Sequence, residues 1–394
     1  MSMSLRDPQA RAGLEPWRAN VAAVRSPDRD AVQSILTRAG IMLDGARPFD
    51  IRIVDPRAYR AMLSGSLGFG EAYMDGWWDC DALDQVMARI FAADLAGDRP
   101  DLRVLSRVAL AWLTNRQSRA RAFEVGRAHY DVGTDVFEAM LDPEMVYTCA
   151  YWKDATDLAS AQRAKLDLVC RKLGLTPGMR VLDIGCGYGA FMKHAAQHYG
   201  VECVGYSVSA EQTRVARERC AGLPVSIVVE DYRSIEGTYD RVVSIGMLEA
   251  VGYRNYRAFM QVVHDHLTTD GLALVHTVGH NRSTRRGDPW SDAYIFPNGM
   301  LPSIAQLGAA MEGLLVMEDW HNFGPDYDRT LMAWHERFQQ AWPELSARHS
   351  DRFKRMWQLY LLGFAGGFRV RSWQLWQIVL SKPGRAQPDC RLSR

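Results

Sequence analysis

At 394 residues the chain exceeds the size at which one hydrophobic core is the norm, so two domains are expected. A composition of 47% hydrophobic and 24% charged residues excludes a disordered or fibrous chain, and a formal net charge of +1 leaves no global field to attract nucleic acid or anionic lipid. No run approaches the ~20 apolar residues that cross a bilayer, Met1 to Asn20 lacks the apolar stretch of a signal peptide, and seven cysteines without a C-x-x-C pair point to reduced thiols in the cytoplasm and to no metal site.

In chain order, Asp50–Val54 alternates like a strand and Pro56–Ser64 follows helical periodicity. Gly65, Gly68 and Gly70, in "SGSLGFGEAYMDGWW", are expected to mark tight turns. Residues 1–110 thus read as a small mixed α+β unit. The next stretch, Asp101–Arg127, carries Arg103, Arg107, Arg116, Arg119, Arg121 and Arg127 against Asp101 and Glu124, interleaved with Leu102, Leu105, Val108, Leu110, Trp112 and Leu113. Such a basic, apolar-striped segment suits an anionic membrane surface. It equally suits a linker helix, centred on residues 111–127, whose stripe packs on protein.

The rhythm then changes to alternating strands and helices through residues 128–394. Strands are expected at Val181–Ile184, Val201–Tyr206, Val225–Val229, Arg241–Ile245, Leu272–Thr277, Leu314–Asp319 and Gln374–Leu380. Helices are expected at Phe191–Tyr199, Ala210–Cys220, Tyr256–Leu267, Ser303–Glu312, Thr330–Ala341 and Ser350–Gly363. This succession implies an α/β fold, a parallel sheet with helices on both faces.

The strongest local signal is "VLDIGCGYG", where a buried strand ends in Asp183, Gly185, Gly187 and Gly189 and enters a helix. Glycines there let a ligand approach the backbone closely, but their even spacing fails the dinucleotide pattern G-x-G-x-x-G. Asp183, ahead of the first glycine, suits a ligand carrying an ammonium group, such as the methionine end of S-adenosylmethionine. Strand two ends without the acid that usually holds ribose; the first is Glu211, already in the next helix. Gln212 offers the ribose an amide instead, and Asp231, after strand three, offers adenine an acceptor; each reads equally as a surface residue.

Read together, "HYDVGTDVFEAMLDPEMVYTCAYW", "VLDIGCGYG", "YDRVVSIGMLEAVG", "LVHTVG", "YIFPNGMLPS" and "MEDWHNFGPDYDRTLMAW" resemble the cyclopropane fatty acid synthases, in that family's order and spacing. The resemblance runs from about Ala31 to Leu380 and includes the N-terminal "LSGSLGFGEAYMDGWWDCD" of the bacterial phospholipid enzymes. It implies a class I S-adenosylmethionine-dependent methyltransferase fold, Rossmann-like with a mostly parallel seven-stranded sheet, behind an N-terminal lipid-binding domain. It implies methylene transfer to the cis double bond of unsaturated phospholipid, in a homodimer at the inner face of the cytoplasmic membrane, with no nucleic-acid partner. Gly185, Gly187, Tyr147 and Thr148 would hold the methionine part, and Gln212 and Asp231 the ribose and adenine. Cys149, Glu249, His276 and Tyr327, with the backbone near Val278, would form a catalytic cage for bicarbonate.

On their own these four allow plainer readings: a solvated strand-end acid, a core histidine, a buried small thiol and a tyrosine packing at a rim. Two positions depart from the family pattern: Ala250 replaces a histidine beside Glu249, and Tyr188 replaces a tryptophan. Two alternatives stand beside this reading, a small-molecule amine methyltransferase on the same fold and a non-catalytic lipid-binding relative.

Overall fold

The computed structural model describes residues 26–95 and 133–390. The basic stretch Asp101–Arg127 lies outside the described residues, as does the start of the motif at His129.

The N-terminal unit comprises α1 (Pro27–Arg38), β1 (Arg52–Ile53), α2 (Arg57–Met62), α3 (Ser66–Met74), β2 (Trp78–Asp79) and α4 (Leu83–Ala92). Its one ladder is short, Arg52 opposite Asp79 and Ile53 opposite Trp78. The glycine expectation needs correction: Gly65 does precede α3 with φ +90°, but Gly68 and Gly70 lie within α3. They supply room instead of turns. A Cβ at Gly68 would stand 2.3 Å from the Ala61 carbonyl oxygen, and one at Gly70 2.2 Å from Trp290.

The second unit begins with α5 (Thr134–Met140) and α6 (Leu158–Lys172). There follow β3 (Arg180–Ile184), α7 (Ala190–Tyr199), β4 (Glu202–Ser207), α8 (Ala210–Arg219), β5 (Val225–Val229), β6 (Tyr239–Ile245), α9 (Tyr256–His266) and β7 (Leu267–His280). The chain continues through α10 (Pro289–Tyr294), α11 (Ile304–Met311), β8 (Val316–Asn322), α12 (Pro325–Leu345), α13 (Asp351–Arg369) and β9 (Trp373–Ser381). The seven strands run in the order β5-β4-β3-β6-β7-β9-β8. The first five are mutually parallel, whereas β9 is antiparallel to both β7 and β8. The strand order reverses at β3, between β4 and β6, the place where open α/β sheets bind ligands.

Two elements near the C-terminal end differ from expectation. The strand expected at Leu314 starts at Val316, because Gly313 (φ +70°) ends α11 and the Leu314 and Leu315 amides turn back to the Met311 carbonyl. The last helix runs beyond Gly363 to Arg369. Its Gly366 is a contact point: a Cβ there would lie 2.6 Å from the Asp84 carbonyl oxygen of α4. Through such contacts the N-terminal helices share one apolar core with α12 and α13, in which Trp78, Val86, Trp334, Trp357 and Phe368 are buried together.

Candidate active site

The carboxyl ends of β3, β4, β6 and β7 open into one cleft of about 3050 Å³, measured among the described residues. That is several times the volume of an ordinary small-ligand pocket. The glycine turn after β3 forms part of its wall, with Gly185, Gly187 and Gly189 at φ +85°, +52° and +81°. The first and last are needed by the protein itself: a Cβ at Gly185 would lie 2.7 Å from Met247, and one at Gly189 3.1 Å from Ala216. At Gly187 a Cβ would meet nothing within 4 Å among the described residues. That glycine keeps the cleft open rather than the core closed.

Asp183, at the end of β3, is 2% exposed yet reaches the cleft wall. Burial pushes its carboxyl up to about 7, against the opposing pull of the Lys165 ammonium. Gln212 and Asp231 also line the cleft. Asp231 is already engaged, since both its oxygens pair with the Arg233 guanidinium at 3.1–3.2 Å and Oδ1 also accepts the Arg233 amide.

The Tyr147–Trp152 segment is held from three sides. Asp142 accepts the amides of Glu144 and Val146, each at 3.0 Å, which sets the preceding turn. From α6, Gln162 donates to the Thr148 carbonyl at 2.7 Å and Lys165 to Thr148 Oγ1 at 2.9 Å. From α12, Thr330 Oγ1 accepts the Ala150 amide and the Trp152 indole N–H, at 3.1 and 2.9 Å. Tyr147 donates its hydroxyl to Tyr360 at 2.8 Å. Burial holds the Lys165 amine down to about 8.

The four cage residues and Val278 split into two groups. Glu249, Val278 and Tyr327 line the cleft. Cys149 and His276, 0% and 1% exposed, lie behind that wall. Glu249 Oε1 accepts the Val278 amide at 2.6 Å, so that backbone donor is committed to the protein, while Oε2 is sealed from solvent without a partner among the described residues. Burial pushes the Glu249 carboxyl up to about 7. The Cys149 thiol is pushed well above its usual range by burial and then by Asp326, which excludes a thiolate nucleophile near neutrality. His276 is held well below the usual histidine range by burial and by the Lys165 and Lys172 cations, so its ring is neutral, and its Nε2 is buried without a partner. Tyr327 keeps some exposure, but desolvation raises its phenol well above the usual range, with Tyr360, Cys149 and Glu249 adding to the effect. Ala250 stands exposed on the cleft wall, and Tyr188 is buried beside the glycine turn.

The raised carboxyls make a stability prediction. Between the usual carboxyl pKa of about 4 and about 7, folded Asp183 and Glu249 retain protons that the unfolded chain has released. Stability therefore falls as pH rises through that window. Asp183→Asn should remove its share, so the cofactor-free variant should melt above wild type at pH 8, by about 2–4 °C per kcal/mol recovered. The gap should close toward pH 4; equal melting temperatures at pH 8 would refute the assignment.

Lys165, Gln162, Thr330, Tyr360 and Gln377 escaped the sequence reading. The available signal was polarity in the wrong place. Gln162 and Lys165 sit three residues apart on the helix face that also carries Ala161, Leu166 and Val169, all buried. Gln377 interrupts the apolar run "WQLWQIVL".

Comparison with known proteins agrees with this geometry. Residues 117–378 match the family described as mycolic acid cyclopropane synthetase. The chain is 51% identical over 350 residues, 88% of its length, to the cyclopropane-fatty-acyl-phospholipid synthase of Escherichia coli K12, covering 92% of that protein. Among solved structures, the cyclopropane synthase MmaA2 from Mycobacterium tuberculosis superposes with a TM-score of 0.62 at 32% identity, covering 66% of this chain and 98% of that one. Mycolic acid cyclopropane synthase CmaA1, complexed with SAH and CTAB, gives 0.61 at 32% identity with the same coverage. With its seven-stranded α/β sheet and its glycine turn at the point of strand reversal, the chain belongs to the mycolic acid cyclopropane synthetase family.

Proposed function

We propose that this protein transfers a methylene group from S-adenosylmethionine to the cis double bond of an unsaturated acyl chain in a membrane phospholipid. One observation carries the reading: a single cleft joins the glycine turn to an apolar slot. That slot is walled by Leu67, Phe69, Met87 and Ile90 of the N-terminal unit and by Leu359 and Phe364 of α13. It suits an acyl chain meeting a polar methyl donor, and it gives the N-terminal unit (residues 1–110) a lipid-binding part in the reaction, beside a linker at 111–127 and a catalytic unit at 128–394. The likeness to the E. coli phospholipid synthase across both units supports phospholipid over a soluble amine. Arg282, Arg285 and Arg286, exposed along the mouth, suit an anionic head group. Among the described residues no helix is long and apolar enough to cross a membrane. By the likeness to the phospholipid synthase, we read the enzyme as acting from the membrane surface, on its inner face, and as a homodimer.

An isolated alkene is a weak nucleophile. Its π pair attacks the sulfonium methyl carbon while the C–S pair leaves with sulfur, and the alkene becomes a carbocation. Water must be kept away, and the apolar slot serves that need. One proton of the new methyl group must then leave so that its C–H pair closes the ring. We assign Gly185, Gly187, Tyr147 and Thr148 to the methionine end of the donor, Asp183 to its ammonium, and Gln212 and Asp231 to its ribose and adenine. Glu249, His276 and Tyr327 fit a small oxyacid anion, with the Val278 amide holding Glu249 Oε1 in place and Cys149 packed behind the wall. The Tyr327 hydroxyl and a His276 N–H would donate to such an anion, while Glu249 Oε2, without a partner among the described residues, would accept its one O–H. Bicarbonate, when bound there, would supply the base.

Incubation with S-adenosylmethionine and vesicles of unsaturated phosphatidylethanolamine should add one CH2 unit per modified acyl chain, with loss of the alkene NMR signal. A retained alkene bearing a branch methyl would overturn ring closure. A methylated soluble amine with no lipid product would favour the amine methyltransferase.

A further inference from the structure

The face of the sheet that carries His276 also carries a buried polar row that the mechanism above does not use. In register, His276 of β7 stands opposite Gln377 of β9, and Gln377 opposite His321 of β8. Paired residues share a face, so the three side chains lie side by side across three strands. All are buried, at 1%, 0% and 7% exposure. Gln377 Nε2 lies 3.4 Å from His276 Nδ1. At the far end Lys172 of α6, itself 1% exposed, places Nζ 3.1 Å from His321 Nδ1 and 3.5 Å from Asp319 Oδ2. Phe323 packs against both imidazoles, with ring centroids 5.9 Å from His276 and 4.9 Å from His321.

Such a row is costly in a sheet interior unless its donors and acceptors are matched, and the chemistry of its ends sets a direction. A lysine ammonium only donates, so His321 Nδ1 accepts and the neutral His321 ring carries its proton on Nε2. The side-chain oxygen of Gln377 has no partner among the described residues, and its NH2 is the group that faces His276 Nδ1, at 3.4 Å. That group too only donates, so His276 Nδ1 must accept, and the His276 proton must sit on Nε2.

We propose that Gln377 is a positioning residue that fixes His276 as its Nε2–H tautomer and so turns a hydrogen-bond donor toward the catalytic anion. The inference rests on the reading of His276 as part of the anion cage. It deepens that reading by naming what sets the proton. An imidazole with the opposite tautomer would offer the anion a lone pair and repel it.

The test is direct observation of the ring nitrogens. In full-length protein labelled with 15N-histidine, the ten histidines are resolved by long-range 15N–1H correlation, and His276 is assigned by its loss in His276→Asn. The wild type should show Nδ1 unprotonated and hydrogen-bonded, and Nε2 protonated. Gln377→Glu, which offers a carboxylate acceptor, should move a proton onto Nδ1. Gln377→Met, which conserves volume and tests the idea alone should the glutamate variant not fold, should shift Nδ1 to the position of a free ring nitrogen. It should also lower kcat about tenfold or more, with the KM for S-adenosylmethionine unchanged. A wild-type proton on Nδ1, or an Nδ1 signal identical in wild type and Gln377→Met, would overturn the proposal. Full turnover by His276→Asn would instead overturn the cage reading, a failure that the nitrogen spectra keep separate.

Discussion

Glu249→Gln should lower turnover by about 10²- to 10⁴-fold, the range that a positioned acid–base group contributes, while the dissociation constant for S-adenosylmethionine stays within about twofold of wild type. The substitution keeps volume and keeps an oxygen for the Val278 amide, the bond that Oε1 makes at 2.6 Å. It replaces the other, unpartnered oxygen by an NH2 group that cannot accept. What is lost is the acceptor for the O–H of a bound oxyacid anion. The pH profile gives a second reading of the same residue. Burial sets the Glu249 carboxyl at about 7, so the accepting carboxylate forms as pH rises through neutrality. Wild-type kcat should climb over that interval, and the Gln variant should lose the limb. Turnover in the variant within threefold of wild type would remove Glu249 from the site.

The catalytic unit was legible because its chemistry is local. Each strand from β3 to β6 is a short apolar run bounded by turn residues, and the glycine turn after Ile184 is visible without any partner strand. The fold's less regular features depend on contacts distant in sequence. Gly68 and Gly70 read as turns, yet they lie in a helix because Ala61 and Trp290 come too close for a Cβ. The helix expected to end at Gly363 continues to Arg369, and Gly366 within it leaves room for the Asp84 carbonyl of α4. The same distinction separates the site residues that were found from those that were not. Asp183 lies at the end of β3 and Glu249 in the turn that follows β6, and their positions alone suggest exposure to a ligand. Gln377 and His321 matter only once β9 has inserted between β7 and β8, and that antiparallel insertion has no local sequence signature. Thr330 clasps a loop 180 residues away in the chain.

Gly187→Val should weaken S-adenosylmethionine binding by about 10²-fold, a loss of about 2.7 kcal/mol, while the cofactor-free fold persists. The backbone at Gly187 has φ +52°, a region that costs a substituted residue about 1–2 kcal/mol. Among the described residues, chain neighbours aside, no atom lies within 4 Å of its Cβ position, so the new side chain projects into cleft space. Strain and ligand exclusion can be separated with a matched control. Gly178 has φ +84° and an equally open Cβ position. It precedes β3 at the amino end of the sheet, in a shallow depression with Pro177, Met179 and Asp240 that is separate from the cleft. Gly178→Val should show a comparable drop in melting temperature with an unchanged dissociation constant by calorimetry. Equal weakening in both variants would mean that backbone strain, not the space at Gly187, governs binding, and the cofactor would then have to lie elsewhere along the cleft. Loss of affinity at Gly187 alone would fix the donor at the turn where β3 meets α7, within reach of Glu249 and of the apolar slot.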